Sequence, residues 1–266
     1  MSAIRFENVF QSFGERVVFQ DFNLEVQRGE TKVVLGEGGS GKTTLLRMVL
    51  GLVQPDSGRV FVEDQEITGL SEPELMGIRK KIGIVFQEGA LFDSLSVGEN
   101  VAYRMREDAA YSEEEIEDTV RRLLGFIGLE DAIHKFPSQL SGGMLRRVGI
   151  ARALVGNPPI LLYDSPTAGL DPITGRTICE LMMELRDLEG VSSIIVTHDL
   201  KVATTLASEF AERQPDHEVV FRNNQDNIGY LVNTRFVMLK DGTTLFEGTD
   251  ETLRNSNDPY IQDFLT

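Results

Sequence analysis

Gly36-Glu37-Gly38-Gly39-Ser40-Gly41-Lys42-Thr43 has the residue types and the spacing of a loop that cradles phosphate. Its glycines let consecutive backbone N–H groups curl around an anion with no Cβ in the way, and a helix starting at its end turns its positive pole toward the same charge. Lys42 adds a point charge for the outer phosphates, and the hydroxyl of Thr43, followed by Thr44, is a hard oxygen ligand of the kind Mg²⁺ prefers. Ser141-Gly142-Gly143 spells a second anion site: it opens a helix and leaves a hydroxyl and free N–H groups at the positive end of the dipole. One chain thus carries two phosphate-binding ends. The chemistry is nucleotide binding, but such a loop also serves kinases, GTPases and helicases, so it leaves the reaction open. Glu113-Glu114-Glu115 reads as the solvated first turn of a helix. His134, His217 and Cys179 have no second ligand or nucleophile partner at a recognisable spacing, and no function is assigned to them.

A phosphate loop works between a buried strand and a helix, and the flanking sequence supplies both. Thr31 to Leu35 is a short, nearly continuous apolar run, the pattern of a strand covered on both faces, and Thr44 to Leu52 has a helical pattern. Pro159 to Tyr163 and Ser193 to Thr197 repeat the buried-strand pattern, which predicts a parallel α/β core. Ile4 to Phe10 and Arg16 to Val26 partly alternate apolar with polar residues and predict a half-exposed antiparallel sheet. From Leu70 to Leu154 helix starts gather, with Ser71 and Glu74, and Ser112 and Glu115, at the capping-box spacing. This predicts a helical subdomain, about 88–156, inserted into the core.

The 266 residues are 41% hydrophobic and 26% charged, enough to bury a sizeable core without staples. A single cysteine excludes an intramolecular disulfide and a cysteine-based zinc site, so a reducing compartment is expected. A net charge of −16 weighs against a broad basic face for nucleic acid. The chain begins in a strand-like pattern without an apolar signal segment, and no run approaches the about 20 apolar residues of a spanning helix. The expectation is a chain that neither enters nor crosses a bilayer.

Leu140-Ser141-Gly142-Gly143-Met144, with Leu145 to Leu154 behind it, resembles the LSGGQ signature of the ATP-binding cassette (ABC) family. Ile160-Leu161-Leu162-Tyr163-Asp164 resembles that family's Walker B strand and Ala168-Gly169-Leu170-Asp171 its D-loop. Val85-Phe86-Gln87 resembles its Q-loop, and Thr197-His198-Asp199 its switch histidine. All stand in the family's order, and the match covers almost the whole chain. The resemblance implies an α/β fold of the P-loop NTPase class, an ABC nucleotide-binding domain over 1–266 with an antiparallel β subdomain and an inserted α-helical subdomain. It implies ATP and Mg²⁺ as ligands and ATP hydrolysis as the reaction. In the family ATP is sandwiched between two head-to-tail chains, the P-loop of one facing the signature of the other. One set of motifs therefore implies a homodimer, or pairing with a similar subunit. On this resemblance Gly36, Glu37, Gly38, Gly39, Ser40, Gly41, Lys42, Thr43 and Thr44 bind the phosphates, and Ser141, Gly142, Gly143 and Asp171 complete a nucleotide site. Asp164 holds Mg²⁺ with Thr43, Gln87 senses the metal and the attacking water, and His198 contacts the γ-phosphate. Phe13, just before Gly14, matches the aromatic that stacks on adenine; packing as a core or edge-strand phenylalanine stays open for it.

Ser165 follows Asp164 where the family has glutamate, the usual general base or water-positioning group. A serine hydroxyl takes up no proton near neutral pH, so assistance worth about 10²- to 10⁴-fold is missing unless another group replaces it. Three explanations stand: slow hydrolysis matched to a slow cycle, another group such as His198 positioning water, or a variant residue at this position. The catalytic set is then Lys42, Gln87, Asp164, Ser165 and His198, with nucleotide binding and dimer closure expected in each case. Met144 departs from the family's usual glutamine. With Arg146-Arg147 and the stretch Gln87 to Tyr103, it looks like the Mla and Mce-associated ATPases, which drive lipid between the inner and outer membranes of diderm bacteria.

That narrower resemblance implies separate transmembrane permease subunits, an Mce-domain lipid-binding protein and a small regulatory subunit as partners, and no nucleic acid. It puts the chain on the cytoplasmic side of the inner membrane, held peripherally through the permease. Three alternatives stay open: an ATP-gated clamp that scarcely hydrolyses, an ATPase serving another cargo such as an amino acid or drug, and a soluble cassette acting on DNA or ribosomes. The segment of about 208–234 exceeds the family's pattern. Within it Glu218 to Arg222 and Ile228 to Val232 predict a hairpin around Asn223 to Asn227. It reads either as a surface elaboration or as a contact with a regulatory subunit or the partner cassette. The tail, about 255–266, with Asp258-Pro259-Tyr260 and Phe264-Leu265, resembles the subfamily's end, which reaches the neighbouring subunit.

Overall fold

The computed structural model describes residues 1–108, 110–223 and 233–265. The chain opens with β1 (Ser2–Phe13) and β2 (Arg16–Gln27), an antiparallel hairpin that buries Ile4, Phe6, Phe22, Leu24 and Val26 and exposes Asn8, Asn23 and Glu25. β3 (Thr31–Leu35) leaves this sheet, while β4 (Ser57–Val62) and β5 (Gln65–Glu66) complete it in the order β2-β1-β4-β5. A second sheet of six strands is built on β3. It contains β6 (Ile82–Val85), β7 (Ile160–Asp164), β8 (Ser192–Val196), β11 (Thr234–Lys240) and β12 (Thr243–Gly248), in the order β12-β11-β3-β8-β7-β6. All of its pairs are parallel except β11 with β12.

The continuous apolar runs have a direct physical cause: successive side chains of the central strands enter two different cores. Val34, Leu162 and Val196 join Ile4, Phe6 and Phe22 of the antiparallel sheet around α1 (Lys42–Val49), which lies between the two sheets. Val33, Leu35, Leu161, Tyr163 and Ile195 face the other way, into a core shared with α3 (Val97–Glu107), α4 (Glu113–Phe126), α5 (Gly142–Ala153) and α6 (Pro172–Asp187). Full burial of each such side chain is worth about 1.5–3 kcal/mol, so Val33, Val34 and Leu35 of β3 are held from one side or the other, while buried Lys32 is held by ion pairs to Glu30 and Glu247.

Helix α1 starts two residues before the expected Thr44 and stops at Val49, short of Leu52. Gly51 ends it: its φ is +66°, its N–H donates to Met48 O at 2.9 Å, and Leu52 N–H donates to Arg47 O at 2.8 Å. These are the paired bonds of a glycine-terminated helix, and they consume the last carbonyls. The stretch 70–154 is not helical throughout. After α2 (Glu72–Arg79) it contains β6, a core strand too short for its periodicity to be read. Both expected capping boxes form, Ser71 N–H donating to Glu74 at 2.8 Å and Ser112 N–H to Glu115 at 2.8 Å, and Ser96 with Glu99 makes a third.

The segment after α7 (Leu200–Ser208) forms β9 (Glu209–Arg213) and β10 (Val219–Asn223), an antiparallel pair. The arm expected at Glu218 to Arg222 is therefore a strand, but its partner precedes it in the chain, and Ile228 to Val232 lies outside the described residues. The pair is fastened to α6: Arg176 reaches Glu209 at 2.7 Å, Arg186 Nη2 donates to Glu209 O at 2.8 Å, and Ala211 N–H donates to Asp187 at 2.8 Å. After α8 (Asp250–Arg254), α9 (Pro259–Leu265) packs on its own chain through buried Ile261, and the Lys240 ammonium sits 4.4 Å from the Tyr260 ring centroid. No helix among the described residues is long and apolar enough to cross a membrane.

Candidate nucleotide site

Four parallel strands end on one edge of the six-stranded sheet, and each delivers a candidate residue there. β3 runs into the phosphate loop. One residue past Tyr163, which pairs with Val85 and with Ile195, β7 ends on Asp164; β6 gives way to Gln87 and β8 to His198. The crevice beyond the carboxyl ends of parallel strands is where α/β sheets bind ligands.

The phosphate loop is held in shape by its glycines. Gly41 precedes α1 at φ +100°, and a Cβ there would stand 2.9 Å from Val18 Cγ1 and 3.0 Å from Phe19 Cζ, both in the core. Gly36 is as confined, 2.8 Å from Leu239 O. With glycine at its cap and no acid in its first turn, α1 presents its first N–H groups without a side-chain acceptor, which suits an anion. The Lys42 ammonium crosses the loop, donating to Gly36 O at 2.7 Å and Glu37 O at 2.8 Å, with Ser40 Oγ at 3.4 Å. Burial holds Lys42 below the usual lysine range, and the charges of Asp164 and Glu37 oppose that shift.

Thr43 Oγ1, in the first turn of α1, donates to Asp164 Oδ2 at 3.2 Å. This juxtaposes a hydroxyl and a carboxylate, hard oxygen donors fitting Mg²⁺. Mg²⁺ that is shared with substrate phosphates is held by one or two protein oxygens, and among the described residues no group of three or more His, Cys, Asp or Glu could hold a metal ion. Ser165 sits at φ +48°, its N–H donating to Val196 O at 2.8 Å and its carbonyl accepting from Ala168 N–H at 3.1 Å. Exposed His198 borders a cavity of about 410 Å³ with Thr167, Thr197 and Asp199; the Thr167 hydroxyl is buried without a hydrogen-bond partner. Gln87 is exposed at the exit of β6.

Phe13 is 52% exposed at the end of β1, so it is not a core residue. Beside the loop lies a second cavity, of about 470 Å³, lined by Val18, Glu37, Gly38, Ser40, Asp241 and Tyr260 among others. Arg16 closes over it, donating through Nη2 to Gly39 O at 2.5 Å. No motif in the sequence places Arg16 or Tyr260 at this loop. Neither carries a local signal, since each reaches the loop from a distant part of the chain.

Ser141 caps α5, accepting from Met144 N–H at 3.3 Å, and is exposed together with Gly142. None of Ser141, Gly142 or Gly143 lines the cavity at the phosphate loop, so the start of α5 stands apart from that loop. Asp171 caps α6, accepting from Ile173 N–H at 3.1 Å, Thr174 N–H at 3.0 Å and the Thr174 hydroxyl at 2.5 Å. Those bonds, the Thr174 hydroxyl first, hold its carboxyl below the usual range.

Residues 19–168 match the family model described as ABC transporter. A probable ribonucleotide transport ATP-binding protein of Mycobacterium leprae is 34% identical over 263 residues, covering 99% of this chain and 68% of that protein. The intermembrane phospholipid transport system ATP-binding protein MlaF of Haemophilus influenzae is 34% identical over 239 residues, 90% of each chain. Among solved structures, a dimeric ATP-binding cassette in a post-hydrolysis state with ADP and Pi superposes with a TM-score of 0.75 at 33% identity, over 92% of this chain and 98% of that one. The mixed α/β architecture, with its antiparallel subdomain and parallel core, is that of these cassettes.

Proposed function

This chain belongs to the ABC transporter family of ATP-binding cassettes, and from that premise we propose that it is the ATP-hydrolysing subunit of a phospholipid transporter, working as a homodimer on separate transmembrane permeases. The observation that carries the reading is the separation of two half-sites in one chain. Lys42, Thr43, Asp164 and His198 share one sheet edge, while exposed Ser141 and Gly142 at the start of α5 lie outside the phosphate-loop cavity, so a second copy is needed to enclose a nucleotide. Lys42 and the first N–H groups of α1 hold the phosphates. Thr43 and Asp164 hold Mg²⁺, which when bound neutralises phosphate charge. Gln87 and His198 flank the γ-phosphate, Phe13 offers its exposed ring to adenine, and the partner copy's signature closes the sandwich with Asp171 nearby. Hydrolysis without a base at Ser165 is slow but real, because phosphoryl transfer depends chiefly on positioning and charge stabilisation.

The cargo reading rests on Gln87 to Tyr103, on Met144 in the signature with Arg146 and Arg147 after it, and on the phospholipid-transport name of the Haemophilus relative. The mycobacterial relative's name points to ribonucleotides instead, which keeps another cargo as the second reading. For a permease, the exposed aromatic pair Phe92 and Tyr103, 4.6 Å apart beside a cavity of about 350 Å³ at the Q-loop exit, offers a seat for an apolar helix. An Mce-domain lipid-binding protein and a small regulatory subunit complete the assembly, in which this chain is held on the cytoplasmic side of the inner membrane through the permease. The test is the native complex beside its Lys42→Ala version, assayed for ATP turnover and copurified lipid. Turnover well above Lys42→Ala with bound phospholipid is expected. Turnover equal to Lys42→Ala would make the chain an ATP-gated clamp, and a different bound solute would overturn the cargo.

A further inference from the structure

The signature helix and the D-loop are packed on one another within a single chain. A Cβ on Gly142 would meet Leu170 Cδ2 at 3.6 Å, and one on Gly143 would stand 2.1 Å from Thr174 Cγ2. A turn further along α5, Arg146 is only 7% exposed, and its Nη2 donates to the carbonyl of Ala168. Its Nε is buried without a hydrogen-bond partner. A guanidinium withdrawn from water and incompletely bonded is a poor device for stability alone. Ala168 is also where the turn begun at Ser165 closes, through Ala168 N–H to Ser165 O at 3.1 Å. Arg146 thus grips the far end of the turn that starts beside Asp164. Near its other end, α5 grips the Q-loop exit, Arg152 donating to Gly89 O at 2.9 Å and Ala90 O at 2.8 Å.

We propose that Arg146 is a positioning residue: it ties the D-loop to the signature helix so that both meet the partner copy's nucleotide as one unit. The inference rests on the composite-site reading above. Arg146 touches no substrate and acts through the Ala168 carbonyl. Its loss should therefore spare ATP binding by one chain, which the phosphate loop performs, and impair closure and turnover, which need the opposed half-site.

The experiment compares wild type, Arg146→Met and Arg146→Lys as full chains and in the native complex. It measures affinity of the single chain for a fluorescent ATP analogue, ATP-driven dimerisation, and kcat and KM. For Arg146→Met, single-chain affinity and KM should stay within about twofold of wild type. Its kcat and ATP-driven dimerisation should fall about tenfold or more, the scale of one charge-assisted hydrogen bond. Arg146→Lys, which keeps a charged donor, should recover a clear part of both. Unchanged kcat and dimerisation in Arg146→Met would overturn the inference. So would a kcat loss matched by lost single-chain affinity and not rescued by lysine, which would mark a merely structural arginine. A wild-type chain that binds ATP but neither dimerises nor hydrolyses would sink the composite-site reading itself, and this inference with it; a normal wild type beside an indifferent Arg146→Met retires the inference alone.

Discussion

Replacing Ser165 by glutamate measures how much of the reaction the missing carboxylate carries. The backbone at 165 is held from both sides, by Ser165 N–H to Val196 O at 2.8 Å and by Ala168 N–H to Ser165 O at 3.1 Å, so the exchange leaves the turn in place. Its φ of +48° strains serine and glutamate alike, since neither is glycine. The new carboxylate would start one residue from Asp164, whose Oδ2 already engages Thr43 Oγ1 at 3.2 Å. A neighbouring negative charge raises a carboxyl's pKa, which moves it toward the range of an effective base. General-base assistance of about 10²- to 10⁴-fold corresponds to about 2.7–5.5 kcal/mol of barrier. The assay is steady-state ATP hydrolysis by the assembled complex carrying Ser165, Ser165→Glu or Ser165→Gln, with Lys42→Ala as the floor. Ser165→Glu should raise kcat by at least the lower end of that range with little change in KM, and the isosteric Ser165→Gln should not. An unchanged or lower rate for Ser165→Glu, or equal gains for both variants, would refute the missing-base argument.

Two further outcomes follow from the phosphate loop. Gly41→Ala must accept φ +100° and a Cβ 2.9 Å from Val18 Cγ1, so it should destabilise the chain by about 1–3 kcal/mol in denaturant unfolding and weaken ATP binding; an unaltered midpoint would contradict the packing. ATP binding should take up protons on the alkaline side. Burial lowers the Lys42 pKa in the free chain, and a triphosphate beside the ammonium raises it. Affinity is therefore full below the lowered value and declines as pH rises above it toward the bound value. Calorimetry in buffers of different ionisation enthalpy, repeated at rising alkaline pH, reads the uptake, and heats that stay buffer-independent across that range would count against it.

The phosphate loop, the buried strands on which it depends and the helix starts around it are legible in the sequence, because each is written locally. Glycines mark where a Cβ cannot fit, as at Gly36 and Gly41. In Thr31 to Leu35 the apolar residues Val33, Val34 and Leu35 run together because both faces are covered, and Ser112 with Glu115 satisfies its own helix end across three residues. The sequence also carried the motif order that identified the family. Tertiary structure alone decided what long side chains and short strands do. β6 is a strand because β7 lies beside it, and β10 pairs backward with β9, whose Glu209 and Ala211 are tied to α6. Arg16 on Gly39, Arg146 on Ala168 and Arg152 on Ala90 join residues 23, 22 and 62 positions apart. A flexible guanidinium has no local pattern that names its carbonyl; only the packed chain brings the two together.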